Sequence, residues 1–227
     1  MNSVKLIGIT QPTITIFDDM KLSAEGLIAY CARVSNPANQ DNPDSEKLLK
    51  YLVKNKHWSP FEMVHIVMEI QTTRDIARQI LRHRSFSFQE FSQRYANVTV
   101  MSEPREARLQ DPKNRQNSIE IDTDDAGMRV LEKTWEESQK EVLDLALKNY
   151  DWAIKNGIAK EVARSVLPEG LTMSRMYMSG SLRSWIHYCE LRMANGTQKE
   201  HRLIAEQCWN VIVEQFPSLK NILDNNQ

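Results

Sequence analysis

Glycine is scarce in this chain and never closely paired. The seven glycines fall at positions 8, 26, 127, 157, 170, 180 and 196, so no G-x-G exists. Dinucleotide fingerprints and phosphate loops need clustered glycines to bring backbone amides against phosphate. Both are excluded, and any nucleotide must be held by side chains. Cysteine is equally sparse. Cys31, Cys189 and Cys208 are odd in number and widely separated, which argues against a disulfide framework and fits a reducing compartment. No apolar run approaches the ~20 residues of a membrane span. The opening Met-Asn-Ser-Val-Lys-Leu-Ile-Gly-Ile-Thr is too short and polar for a signal peptide. Charge of one sign is also missing: 29 Lys+Arg against 30 Asp+Glu leave a net charge of −1. Attraction to nucleic acid or to an anionic membrane is therefore not built in. The expectation is a soluble, cytoplasmic protein with neither nucleic acid nor membrane as partner, and with no metal.

What is present suffices for a sizeable core. In 227 residues, 41% are hydrophobic and 26% charged, which suits one domain spanning 1–227. Residues 3–17 read as two short strands around Gln11-Pro12, the second running from Thr13 to Phe17. Ser23 is placed to cap a helix reaching roughly Arg33, and Ser45 a helix ending before His57-Trp58-Ser59-Pro60. Between them lies a loop rich in Asn and Pro. Phe61 to Gln71 is β-branched enough for a strand, and Thr72 with Asp75 resembles a capping box ahead of Ile76, Ala77, Ile80 and Leu81. Residues 85–101 read as irregular and then strand-like at Val98 and Val100, and 102–127 as a long loop insert. A long helix over about 128–156 carries Leu131, Trp135, Val142, Ala146 and Tyr150 on one stripe. Shorter helices follow over 158–167, from Ser181 through Met193, and over roughly 197–215. The class is α+β, a single domain with a central, mostly antiparallel sheet and long helices.

The arginines are the anomaly. Eight of fifteen lie between positions 74 and 115, where Lys113 is the only lysine. Solvated faces have no reason to avoid lysine, whereas sites that grip phosphate or a planar carbonyl edge prefer the guanidinium fork. The plainer account is a set of salt bridges to Asp75, Glu90, Glu103, Glu106 and Asp111. Within the cluster, Arg82-His83-Arg84 cannot all be satisfied on one helix face. Ser87, Gln89, Glu90, Ser92 and Gln93 add donors and acceptors suited to sugar and base edges. Phe86, Phe88 and Phe91 fit a core strand better than a nucleic-acid stacking platform.

Arg82-His83-Arg84, seven residues, Ser92, one residue and Arg94-Tyr95 together resemble the signature of the flavin-dependent thymidylate synthases. The resemblance extends from about residue 24 to 215. It includes Ala32-Arg33-Val34-Ser35, His57-Trp58-Ser59-Pro60-Phe61-Glu62, Ala77-Arg78-Gln79, the segment 105–118, Glu161 to Pro168, and Leu191-Arg192 with Gln198 and Glu200. It implies a homotetramer with shared active sites. The implied reaction converts dUMP to dTMP with methylenetetrahydrofolate as carbon donor and NADPH-reduced FAD as hydride donor, and needs no cysteine nucleophile. Carried over by position, Arg192, His57 and Ser92 are the expected catalytic residues. Ser35, Ser59, Arg82, His83, Arg84, Glu90, Ser181, Arg183 and His187 are the expected FAD contacts. Gln79, Arg82, Glu90, Ser92, Gln93, Arg94, Arg164 and Arg192 are the expected dUMP contacts. Arg192 is expected to stabilise negative charge at the N3/O4 edge of the uracil.

Two departures stand out. Ser181 occupies a position where many members carry an asparagine, and Asn195-Gly196-Thr197 replaces a stretch that more usually holds histidine or alanine. His65 and His201 receive no functional assignment. On the helix from Ser181, Arg183 and His187 share a face. Arg192, nine residues past Arg183, points to the opposite side, so one helix would serve two ligands or two sites. The alternatives are a flavin-binding NADPH oxidase without methyl transfer and an RNA-binding module built on the Arg/Phe segment.

Overall fold

The computed structural model describes residues 2–16, 20–220 and 222–223. Phe17, the expected end of the second strand, lies outside them. A four-stranded sheet forms the centre, with β1 (Ser3–Ile9), β4 (His65–Thr73), β8 (Met173–Ser181) and β5 (Ser87–Glu90) in the order β1-β4-β8-β5. Every pairing in it is antiparallel. Alternation decides its faces. Ile66, Met68 and Ile70 of β4 stand opposite Gly180, Met178 and Met176 of β8, and all six are buried. Glu69 opposite Tyr177, and Gln71 opposite Arg175, turn to the other face.

Helices cover the apolar face. α6 (Leu182–Met193) and α7 (Lys199–Gln215) bring Trp185, Ile186, Cys189, Ile204, Cys208 and Ile212 onto it. α1 (Ala24–Ala32), α2 (Glu46–Lys54) and α3 (Arg74–Ile80) complete the core with Ile28, Leu49, Ile76 and Ile80. The Ser23 hydroxyl accepts from the Gly26 amide and the Ser181 hydroxyl from the Ser184 amide, so both expected caps form. Ser45 sits at the start of α2 as expected, but its hydroxyl caps nothing.

Three local expectations give way to tertiary demands. Pro60 turns Ser59–Met63 into a 3-10 turn, so the strand expected from Phe61 begins at His65. The capping box at Thr72 and Asp75 does not form: Thr73 begins α3 without a side-chain cap, and Arg105 takes the Asp75 carboxylate. Val98 and Val100 flank β8 without becoming a strand, and the contact narrows to a single bridge between Met101 and Thr172.

The 102–127 insert carries a short hairpin of β6 (Arg108–Gln110) and β7 (Ser118–Glu120). A smaller hairpin joins β2 (Thr15–Ile16) to β3 (Met20–Lys21). α4 (Ala126–Lys155) meets a second small core through Tyr150 and Ala153, which pack with Val98 and Ala163 beside α5 (Lys160–Ala163). The amino-terminal part of its expected stripe, Leu131, Trp135 and Val142, is exposed. No helix among the described residues is long and apolar enough to cross a membrane.

Candidate active site

α3 ends at Ile80, and Arg82-His83-Arg84 occupy the turn that leads into β5. Phe86 anchors this turn. Its ring meets Trp185 edge-on, with centroids 4.9 Å apart, and lies against Gly180, where a Cβ would come within 2.5 Å of the ring. Arg82 and Arg84 stay exposed and form no ion pair among the described residues, whereas His83 turns inward. There its Nε2 accepts a 2.9 Å hydrogen bond from Nε of Arg192, near the end of α6. Burial first, then the charges of Arg192 and Arg82, push the His83 imidazole down to about 4. The ring is therefore neutral at pH 7 and free to accept. Arg192 spends only Nε on this bond, and its two terminal nitrogens have no partner among the described residues.

Beside this pair runs a chain of polar side chains. The Tyr188 hydroxyl lies 3.1 Å from Nε2 of His201, and Nδ1 of His201 lies 3.3 Å from Oε1 of Gln79. Gln79 donates to Gln198 at 2.8 Å, and Gln198 donates to Glu200 at 2.9 Å. Arg108 of the insert closes the chain with a 2.6 Å ion pair to Glu200. Burial alone would raise the Glu200 carboxyl, but its own backbone amide, Arg108 and Gln198 hold it below the usual range.

The opposite face of α6 carries Arg183 and His187. Arg183 pairs with Glu62, and the His187 ring meets the Trp58 indole edge-on at 4.7 Å. Burial, then Arg183, lowers the His187 pKa. His57 and Ser59 lie exposed on either side of Trp58, which precedes the 3-10 turn carrying Glu62, and the His57 ring is 6.1 Å from that of Tyr51. Ser181 spends its hydroxyl on capping α6. Ser35 is exposed in the loop beyond α1.

A third group lies past β5. Glu90 accepts from the Ser174 hydroxyl at 2.7 Å, and Ser92 accepts from the Arg94 amide at 3.3 Å. Gln93 is buried with its Nε2 unpartnered. Arg94 pairs with Glu161 at 3.1 Å, and Arg164 begins a 3-10 turn just after α5. Among the described residues, no hydrogen bond or ion pair joins Ser92, Arg94 or Arg164 to Arg192. The expected dUMP residues thus fall into two sets that no hydrogen bond or ion pair joins among the described residues, with Gln79, Arg82 and Arg192 in one and Glu90, Ser92, Gln93, Arg94 and Arg164 in the other.

Of the eight clustered arginines, Arg74, Arg78, Arg94, Arg105 and Arg108 are ion-paired. Many of their partners come from distant sequence: Glu161, Glu169 and Glu200. Asp111, an expected partner, instead accepts from the amides of Lys113 and Asn114 in its own turn. The thiols are poor nucleophiles. Burial pushes Cys31, Cys189 and Cys208 up, and all three are unpaired.

A free guanidinium fork, neutral histidines and amide side chains gathered where α3, α6 and α7 converge suit an α+β enzyme that handles a polar, planar substrate such as a nucleotide. The comparisons carry this further. A family model described as Thy1, thymidylate synthase complementing protein, matches residues 16–218. A flavin-dependent thymidylate synthase of Synechocystis is 51% identical over 97% of this chain and 99% of its own length. A probable flavin-dependent thymidylate synthase of Paramecium bursaria Chlorella virus 1 is 47% identical over 98% of this chain and 99% of its own. A crystal structure of the UMP/dUMP methylase PolB from Streptomyces cacaoi, bound with 5-Br dUMP, superposes with a TM-score of 0.76 at 26% identity, covering 99% of this chain and 95% of that one. The chain belongs to the flavin-dependent thymidylate synthase family, and it is a methyltransferase of thymidylate synthesis.

Sequence reasoning left Tyr188 and His201 without roles. The available signal was spacing, since His201 lies three residues past Gln198, the residue that precedes the first turn of α7.

Proposed function

We propose that the chain converts dUMP to dTMP, with methylenetetrahydrofolate giving the carbon and NADPH-reduced FAD the hydride. The observation that carries this reading is the Arg192 guanidinium. One nitrogen is fixed on His83, and the other two are free to meet a planar acceptor edge. Such a fork presents fixed donors to negative charge developing at N3/O4 of a uracil, which makes C5 nucleophilic without a cysteine adduct. Gln79 stands beside it to orient base or sugar. Arg94 and Arg164, with Ser92, Gln93 and Glu90, suit the nucleotide phosphate and ribose.

The residues present fit FAD. Arg82 and Arg84 offer unpaired guanidinium forks to a diphosphate, and Ser59, Arg183 and His187 offer a second polar surface next to the Trp58 indole. When bound, the flavin supplies hydride to the transferred carbon.

The split of the dUMP residues into two sets with no bond between them supports sites completed by a second subunit, as in a homotetramer. So does α4, whose Leu131, Trp135 and Val142 line an open groove of about 690 Å³ with Arg105, Arg108 and Gln139. Three unpaired thiols suit a cytoplasmic location.

The test starts with purified protein loaded with FAD and desalted. Added NADPH should bleach the flavin, and methylenetetrahydrofolate with dUMP should then yield dTMP. UMP is run in parallel, because the Streptomyces neighbour is named for both nucleotides. Bleaching without nucleotide product would favour the oxidase reading. A protein that ignores FAD but binds oligonucleotides with steep salt dependence would favour RNA binding.

A further inference from the structure

His201 is fully buried at the start of α7 and held at both ring nitrogens. The direction of its hydrogen bonds follows from the far end of the chain. Glu200, ionised, can only accept, so Gln198 donates to it through Nε2 and turns Oε1 toward Gln79. Gln79 must then donate through Nε2, which leaves its Oε1 facing the imidazole. An amide oxygen accepts only. Nδ1 of His201 therefore carries the proton, and Nε2 accepts from the Tyr188 hydroxyl. The whole run from Tyr188 to Glu200 has one polarity, anchored by Arg108.

We infer that His201 is a positioning residue that fixes the amide orientation of Gln79, so that its remaining N–H is presented to an acceptor oxygen of the pyrimidine nucleotide. Tyr188 holds the ring in register, and the insert takes part through Arg108. A flipped Gln79 amide would oppose oxygen to oxygen and set its own donor against Nδ1–H of His201. The histidine thus disfavours the wrong orientation as well as supporting the right one. This inference rests on the assignment of Gln79 to nucleotide binding.

The test uses the full-length, FAD-loaded protein and reads the dissociation constant for dUMP by calorimetry, alongside KM and kcat. His201→Phe keeps an aromatic ring and loses both hydrogen bonds. His201→Asn keeps an amide donor where Nδ1–H stood. The expected result is a roughly fivefold to tenfold weaker dUMP affinity in His201→Phe, about one hydrogen bond, with KM changed more than kcat. His201→Asn should stay within about threefold of the parent. Equal losses in both variants would make His201 a structural filler and overturn the inference. Gln79→Ala separates the two levels. If it weakens dUMP binding while His201→Phe does not, the inference alone fails; if it leaves dUMP affinity unchanged, the Gln79 assignment fails and the inference with it. Nitrogen-15 spectra of the unsubstituted protein give an independent check, since His201 should carry its proton on Nδ1. A proton on Nε2 would overturn the proposal whatever the variants do.

Discussion

Nε of Arg192 donates to Nε2 of His83 at 2.9 Å, so the guanidinium is aimed by a neutral imidazole rather than by a carboxylate. A carboxylate partner would neutralise the charge that the chemistry needs. An imidazole orients it and leaves it whole.

That arrangement has a pH signature. His83 titrates at about 4 and His201 at about 3, against 6.5 for an unstrained histidine. Burial is the first cause in both, followed by Arg192. Below pH 6.5 the unfolded chain takes up protons that the native state refuses. The stability from these two groups is therefore complete above pH 6.5 and is lost as pH falls toward 4 and 3. Each such proton gives a slope of about 1.4 kcal/mol per pH unit. Chemical denaturation at intervals between pH 7.5 and 4.5, above the range where most carboxylates titrate, should show the decline. A flat profile there would contradict neutral, buried histidines.

Arg192→Lys keeps the charge and removes both the Nε donor to His83 and the planar fork. Turnover should drop by about 100-fold, the scale for losing a transition-state donor, while FAD retention changes little. Product formation and flavin absorbance measured on the same preparation check both halves. Unchanged turnover would remove Arg192 from base activation.

Gly180 matters because of Phe86. A methyl group at 180 would sit within 2.5 Å of the ring, on a strand buried beneath it. Gly180→Ala should cost about 1–3 kcal/mol by overpacking. It should also weaken FAD retention, because Phe86 carries the turn that presents Arg82 and Arg84. Thermal melting with and without FAD separates the effects, and a variant that melts and binds like the parent would show that the turn is not set by this contact.

Arg105 fastens the insert. Its guanidinium takes both carboxylate oxygens of Asp75 and the Thr73 hydroxyl, at 2.7–2.8 Å, and its backbone exchanges two hydrogen bonds with Gln139 of α4. Burial would raise Asp75, but the bonds from Arg105 and Thr73 hold it below the usual range. Arg105→Ala should destabilise by about 2–4 kcal/mol, because it strands a half-buried carboxylate. Asp75→Asn in the Arg105→Ala background should restore part of that. Urea unfolding of the four proteins measures the coupling, and additive effects would show that the pair is not a unit.

Much of this was readable without coordinates. Strand alternation, the serine caps at 23 and 181, the helix from 182 to 193 with its two working faces, and the ordered motifs of the family all reside in short segments. Their physics is local: side-chain period, capping hydroxyls, residue type at fixed spacing. Arg183 and His187 do stand on one side of α6 and Arg192 on the other, as a 100° step per residue requires.

Other features depended on residues far apart in the chain. Nothing near Thr72 and Asp75 announces that Arg105, thirty residues on, will claim the carboxylate and leave the capping box unmade. Leu131, Trp135 and Val142 share a stripe with Ala146 and Tyr150, yet only the latter two find a core, because α4 meets the domain through its carboxyl-terminal half. His201 looked like an ordinary helix residue. Its role arises where α3, α6 and α7 converge, bringing positions 79, 188 and 201 into one hydrogen-bonded line. The sequence by itself determined the family, the principal helices and the chemical groups available, but not the strands β5 and β8 that complete the sheet. The tertiary structure decided which of those groups are neutral, which are spent on one another, and which guanidinium is left free, because burial and partner choice are properties of packing between distant segments.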